Sequence, residues 1–180
     1  MTGALTVTQR ALFAAALAIF VLVSGLYAPE ARAGEAAALG PVTKLPLPRF
    51  VSIRSDEANA RRGPGLDYRI DWTFVQRGLP VEVTAEHGQW RRVQDADGLG
   101  GWVHRSLLSG ARTGLVRGQG TIPLRAEPEA EGRLRALVEP GALAQVASCD
   151  GAWCRVRAGN VQGWLPQDTI WGVTADERFD

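Results

Sequence analysis

Two hydrophobic patterns divide the chain. The first is a continuous apolar run, Ala11 to Val23, preceded by the single basic residue Arg10 and followed by Ala31-Arg32-Ala33. A basic start, a short apolar stretch and a small-x-small site predict a secretory signal peptide over residues 1–33, cleaved after Ala33. The alternative is an uncleaved N-terminal membrane anchor, since no charge interrupts Ala11 to Pro29. Against it, a spanning helix needs about 20 strongly apolar residues, and this run is Ala-rich and broken by Ser24 and Gly25. The second pattern is alternation with period two. Val81 and Val83 alternate with Glu82 and Thr84, a His87-Gly88 loop follows, and Trp90 to Gln94 runs to an Asp97-Gly98 turn and then to Gly101-Trp102-Val103. Short alternating runs punctuated by Gly and Asp turns predict β-strands, and no long amphipathic helix follows the leader.

The same sequence of strands and turns occurs twice. Gly78, Gly88, Trp90 and Val93 match Gly141, Gly151, Trp153 and Val156, and Gly101-Trp102-Val103 recurs as Gly163-Trp164-Leu165. Repeated landmarks in one order at a nearly constant offset mark a duplicated unit. The expected organisation is a signal peptide over 1–33, a Pro/Ala-rich linker over 34–48, a first domain over 49–110, a connector over 111–120, a second domain over 121–173 and a C-terminal tail over 174–180. Evenly spaced short strands with Gly, Pro and Asp turns predict an all-β chain of two small barrels.

Charge then narrows the partners. Loss of Arg10, Arg32 and Glu30 with the leader takes 20 basic and 19 acidic residues to 18 of each. A neutral chain lacks the basic excess that phosphate backbones require, so nucleic acid is not expected as a partner, although Lys44 is the one lysine among many arginines.

In unit one, Asn59 to Gly65, Gly78 to Val83, Trp90-Arg91-Arg92-Val93 and Gly101-Trp102-Val103-His104 resemble the bacterial SH3-like (SH3b) family. Unit two matches it through Cys149 to Val156, Gly163-Trp164-Leu165 and Ile170-Trp171-Gly172. Ala58 and Ala60 stand where larger aliphatics are usual, and Pro123 replaces the Asn59 of unit one. The resemblance implies two tandem SH3-like barrels with binding loops at one end, in an exported protein of the periplasm or the exterior. It implies a peptide, an envelope protein or peptidoglycan as partner. Members often accompany a hydrolase domain, which is not expected in this chain. Pro166 holds the place of a groove proline in unit two and His104 replaces it in unit one. Leu107 and Thr169 stand where a tyrosine is usual, so polyproline recognition is not expected.

Catalytic chemistry finds no constellation. Cys149 and Cys154 flank a four-residue connection that would set them opposite one another on a hairpin, where a disulfide can close in an exported protein. The repeat places Glu86 and Arg91 at the equivalent positions, an expected cross-strand ion pair of modest worth, about 0.2 to 1 kcal/mol. His87 and His104 read as loop residues, no Cys/His/Asp spacing resembles a metal site, and no cofactor motif is present. Strand parity supplies the candidate site instead. If Val93 and Val156 face the core, then Trp90 and Arg92, and likewise Trp153 and Arg155, face outward. An outward Trp beside Arg suits a ligand with an apolar body and a carboxylate. The expected ligand residues are Trp90, Arg92, Trp153, Arg155 and Pro166. Against this stands the reading that each Trp covers a rim or fills the interface between units. That reading is taken for Trp102, Trp164 and Trp171, and Trp90 and Trp153 stand open between the two. The expected function is a non-enzymatic binding or scaffold module. The alternative is a structural accessory that docks a partner through a barrel edge.

Overall fold

The computed structural model describes residues 38–180. The expected signal peptide and its cleavage site lie outside the described residues. A short ribbon, β1 (Ala38–Leu39) with β2 (Pro46–Leu47), precedes the first barrel. That barrel comprises β3 (Arg49–Ile53), β4 (Ala58–Arg61), β5 (Ile70–Phe74), β6 (Pro80–His87), β7 (Trp90–Gln94), β8 (Gly100–His104), a 3-10 turn and β9 (Leu108–Ser109). The second comprises β10 (Thr113–Val116), β11 (Ile122–Arg125), β12 (Leu134–Val138), β13 (Leu143–Asp150), β14 (Trp153–Ala158), β15 (Val161–Pro166), a 3-10 turn, β16 (Ile170–Trp171) and β17 (Arg178–Phe179). Strand order is β5-β4-β8-β7-β6-β3-β9 in one sheet and β12-β11-β15-β14-β13-β10-β16 in the other. These orders are the same topology twice, so the duplication read in the sequence is a duplication of fold.

Parity builds each core. Val81, Val83, Val93 and Val103 are buried in the first barrel, as are Val146, Cys154, Val156 and Leu165 in the second. Both barrels bulge at the same two places, between Ala60 and Arg61 or Leu124 and Arg125, and between Val83 and Ala85 or Val146 and Ser148. A bulge bends its strand and increases local twist, which closes a small sheet on itself. The close approach of β8 to β4 demands glycine, because a Cβ on Gly101 would lie 2.6 Å from the Arg61 carbonyl oxygen and one on Gly163 2.5 Å from that of Arg125. This is why each unit carries a Gly immediately before Trp102 or Trp164.

The small residues Ala58 and Ala60 have a packing explanation. Ala58 lies opposite Phe74 and Ala60 opposite Trp72, whereas the equivalent pairs in the second barrel are Ile122 with Val138 and Leu124 with Ala136. Large and small have exchanged strands. Phe74 is buried at 2% exposure and fills the space that Ala58 leaves, as conservation of core volume requires.

Three segments differ from their expected roles. Residues 38–48, expected as linker, form the β1–β2 ribbon and are tied to the first barrel by Glu86, whose carboxylate accepts from Val42 N (3.0 Å), Thr43 N (2.9 Å) and Thr43 Oγ1 (2.6 Å). The expected connector contains β10, which pairs with β13 and β16 as β3 pairs with β6 and β9. The expected tail contains β17, paired to β13 and held by Arg112, which forks onto Glu177 with two 2.8 Å hydrogen bonds and lies 4.7 Å over the Phe179 ring. Backbone pairing and long-range side-chain partners order these stretches, and neither is visible in local composition.

The barrels touch each other. Phe50 and Trp171 meet edge to face with centroids 5.1 Å apart, and Arg117 donates to the Ala96 carbonyl at 3.0 Å. Trp171 thus fills the joint between units.

Candidate functional site

The hairpin loops between β6 and β7 and between β13 and β14 end in Trp90 and Trp153. The second loop is set by Asp150, which accepts from Ala152 N (2.9 Å) and Trp153 N (2.8 Å). The Trp153 N–H, followed by that of Ala152, holds the Asp150 carboxyl below the usual carboxylate range. An Asp side chain that gathers the next backbone N–H groups is a self-contained turn, and it delivers Trp153 to the strand at a defined angle. Just beneath, Cys149 and Cys154 are register partners joined by a disulfide, with Cα atoms 4.1 Å apart.

In the first barrel Glu86 and Arg91 occupy those positions and are register partners, with Arg91 Nε 3.4 Å from Glu86 Oε1. The expectation that this cross-strand pair is of modest worth is corrected, because the Glu86 side chain is 0% exposed and that of Arg91 7%. Burial alone would raise the Glu86 carboxyl. Hydrogen bonds from Thr43 and then Arg49 and Val42 N outweigh it, and the carboxyl is held down to about 2. Covalent in one barrel, the hairpin is closed in the other by a buried charge network that also fastens the lead-in.

Trp90 and Trp153 face away from the core, each about half buried. Trp90 is the register partner of His104, with ring centroids 5.4 Å apart in an edge arrangement; Trp153 is the partner of Pro166. Trp90 and His104 line an open cleft of about 570 Å³ with Leu66, Asp67 and Gln89. Trp153 and Pro166 line another, of about 520 Å³, with Gln167, Asp168 and the turn at Thr174 to Asp176. The two clefts share no residue, so the tryptophans do not form one patch.

The arginines sit elsewhere. Arg92 pairs with Trp102 and Arg155 with Trp164, one strand position pair beyond the clefts. Arg155 lines two further clefts, one with Trp164, Gln162 and Arg135 and one with Arg112, Val146 and Arg157. Of the expected ligand residues, the structure therefore joins Trp153 with Pro166 and sets Arg155 apart from both. Leu66, Asp67 and Trp72 were not anticipated. Leu66 and Asp67 lie in the loop between β4 and β5, whose equally long counterpart between β11 and β12 has Ala130 and Glu131 at those positions.

A Ser-His contact is present but has a structural geometry. Ser106 Oγ lies 2.8 Å from His104 Nδ1 and Ser106 N 3.4 Å from it, which caps the 3-10 turn Arg105–Leu107. Among the described residues no group of three His, Cys, Asp or Glu side chains could hold a metal, and no helix is long and apolar enough to cross a membrane.

Comparison with known proteins places this geometry. The Bacterial SH3 domain family matches residues 54–110 and again 118–172. The chain is 26% identical over 128 residues to the putative N-acetylmuramoyl-L-alanine amidase YrvJ of Bacillus subtilis (strain 168), a match covering 66% of this chain and 24% of that protein. It thus spans about a quarter of the length of that relative. Two NlpC structures from Trichomonas vaginalis, NlpC2 and NlpC1, align with TM-scores of 0.32 each at 13% and 14% identity, covering 69% and 73% of this chain and 48% of each of theirs. With the family matched over both repeats, the chain belongs to the bacterial SH3 domain family and carries that domain twice.

Proposed function

We propose that this protein is a non-enzymatic binding module of the cell envelope that holds peptidoglycan through the clefts at Trp90 and Trp153. The observation that carries the reading is positional. The same strand pair in each barrel presents an outward Trp beside a rigid partner, His104 or Pro166, in an open cleft. A half-exposed aromatic face on a rigid scaffold is suited to stack on a sugar ring or an apolar peptide segment, and loops on barrels commonly carry recognition. The Bacillus subtilis relative is a putative N-acetylmuramoyl-L-alanine amidase. The region shared with it suits the task of holding such a substrate while a separate domain cuts it. Catalysis by this chain itself is not part of the reading, because both cysteines are tied in a disulfide and His104 caps a turn. On this reading the expected signal peptide directs the protein to the periplasm or outside the cell.

The test is co-sedimentation of the full chain with purified sacculi. Wild type should pellet with the wall, Trp90→Ala and Trp153→Ala should each weaken capture by about 1 to 3 kcal/mol, and the double variant should remain in the supernatant. Equal capture of folded wild type and double variant would remove the clefts from the site. One observation favours edge docking as a second reading: β5 ends its sheet and leaves Ile70 and Trp72 exposed at 43% and 39%. In that case Trp72→Ala, and not the cleft variants, should abolish capture.

A further inference from the structure

The outer flank of β14 and β15 differs in charge from the matching flank of the first barrel. Arg155 and Arg157 project outward from β14, paired across the strands with Trp164 and Gln162. Arg135 reaches the same flank from β12, donating to the Gln162 carbonyl at 3.1 Å. With its amide turned so that the oxygen faces Arg157, the Gln162 side chain accepts from Arg157 Nη2 and Nε. Neutral oxygens thus hold two guanidinium groups in place without neutralising them. The ion pairs among the described residues use other arginines, and none joins Arg135, Arg155 or Arg157 to a carboxylate.

The first barrel serves as an internal control. Where the second has Arg157 opposite Gln145, the first has Gln94 opposite Glu82, and the two side chains are hydrogen-bonded at 2.7 Å. Where the second has Arg135, the first has Asp71, bridged by Arg69 at 2.7 Å and by Arg62 at 3.1 Å. Arg92 alone matches Arg155. The equivalent flank is therefore closed by its own acids in one barrel and left open and basic in the other.

Arg155 stands between two clefts and lines both. The larger, about 570 Å³, has Val146, Ala147 and Ala111 as its apolar wall. Thr113 and Arg112 line it too, and Thr113 Oγ1 and Arg112 Nε are buried without a hydrogen-bond partner. Planar guanidinium forks match carboxylates bidentately, and three of them on one face are too few for a long phosphate polymer, whose binding draws on many cations. We propose that this flank of the second barrel binds the carboxylates of a short acidic peptide with small apolar side chains, Arg155 and Arg157 being the main contacts. The site is separate from the Trp clefts and stands whether or not the wall is the natural ligand.

The probe is the tetrapeptide Ala-Glu-Ala-Glu with free carboxylates, titrated into the full chain and followed through the arginine side-chain NMR resonances. Arg155 and Arg157 should shift, and affinity should fall at least tenfold for the fully amidated peptide and for Arg155→Gln/Arg157→Gln. Arg54→Gln, at an exposed position of the other barrel, should bind as wild type does. Unmoved arginine resonances, or equal binding by the amidated peptide or the folded double variant, would overturn the assignment. Inorganic phosphate binding more tightly than the peptide would overturn the carboxylate class. Sacculi captured normally by the double variant would leave the Trp-cleft reading intact, and so separates the two.

Discussion

Glu86→Gln keeps the shape of a fully buried side chain and removes its charge. The carboxylate accepts from Val42 N, from Thr43 N and Oγ1 and from Arg49 Nη2, and it lies 3.4 Å from Arg91 Nε. Without it, the guanidinium of Arg91, 7% exposed, and that of Arg49, 17% exposed, lose their counter-charge. Breaking one side of a buried pair costs about 3 to 5 kcal/mol. The depressed carboxyl leads to a similar figure, since a group held at about 2 against 4.5 when free stores about 3 kcal/mol. The sign follows from the direction. A depressed carboxylate stabilises the fold above its unfolded value, so this contribution is present above about pH 4.5 and is lost as the pH falls toward 2. The assay is urea unfolding of wild type and Glu86→Gln across that window. The difference between them should be about 3 kcal/mol at pH 7, a large fraction of the stability of a small domain, and should shrink steadily below pH 4.5. Taking the difference cancels the other carboxyls that titrate there. A gap under 1 kcal/mol at pH 7, or one that does not change with pH, would refute the network as described.

Replacing both Cys149 and Cys154 by Ser should cost about 2 kcal/mol, the loop-entropy value for so short a closure, measurable as a fall in the urea midpoint of non-reduced protein. Ala60→Leu should overpack the first barrel against Trp72 and destabilise it by about 1 to 3 kcal/mol. Adding Trp72→Ala, which recreates the Leu124 and Ala136 pair of the second barrel, should return part of that loss in a double-mutant cycle. Trp171→Ala should weaken the joint with Phe50 by about 0.5 to 1.5 kcal/mol beyond the lost area, and calorimetry should then resolve two transitions where wild type shows one.

The repeat carried most of the fold into view, because its landmarks are residues that β geometry demands: Gly101 and Gly163 for close approach, and valines spaced by two for the core. The exchange of large and small residues between β4 and β5 was hidden, since Ala58 reads as a defect until Phe74 is seen opposite. The ordered lead-in was also hidden. Its Gly-Pro-Val-Thr turn reads as linker composition, and only a carboxylate more than forty residues away makes it structure. At the candidate site, parity turned Trp153 and Arg155 to the same face, as the strand shows. It could not reveal that their neighbours across the hairpin, Pro166 and Trp164, divide that face into separate clefts. Period-two reasoning assigns sides of a strand, while the grouping of side chains within a side is decided by partner strands.

The central claim is that the Trp90 and Trp153 clefts are where the protein meets the wall. The most direct measurement is a titration of the full chain with soluble fragments of digested peptidoglycan, read from the six indole N–H resonances. The account predicts saturable shifts of Trp90 and Trp153 while Trp171, at the joint between barrels, does not move. Shifts confined to Trp72 or Trp171, or none at all with sacculi-binding protein, would contradict it.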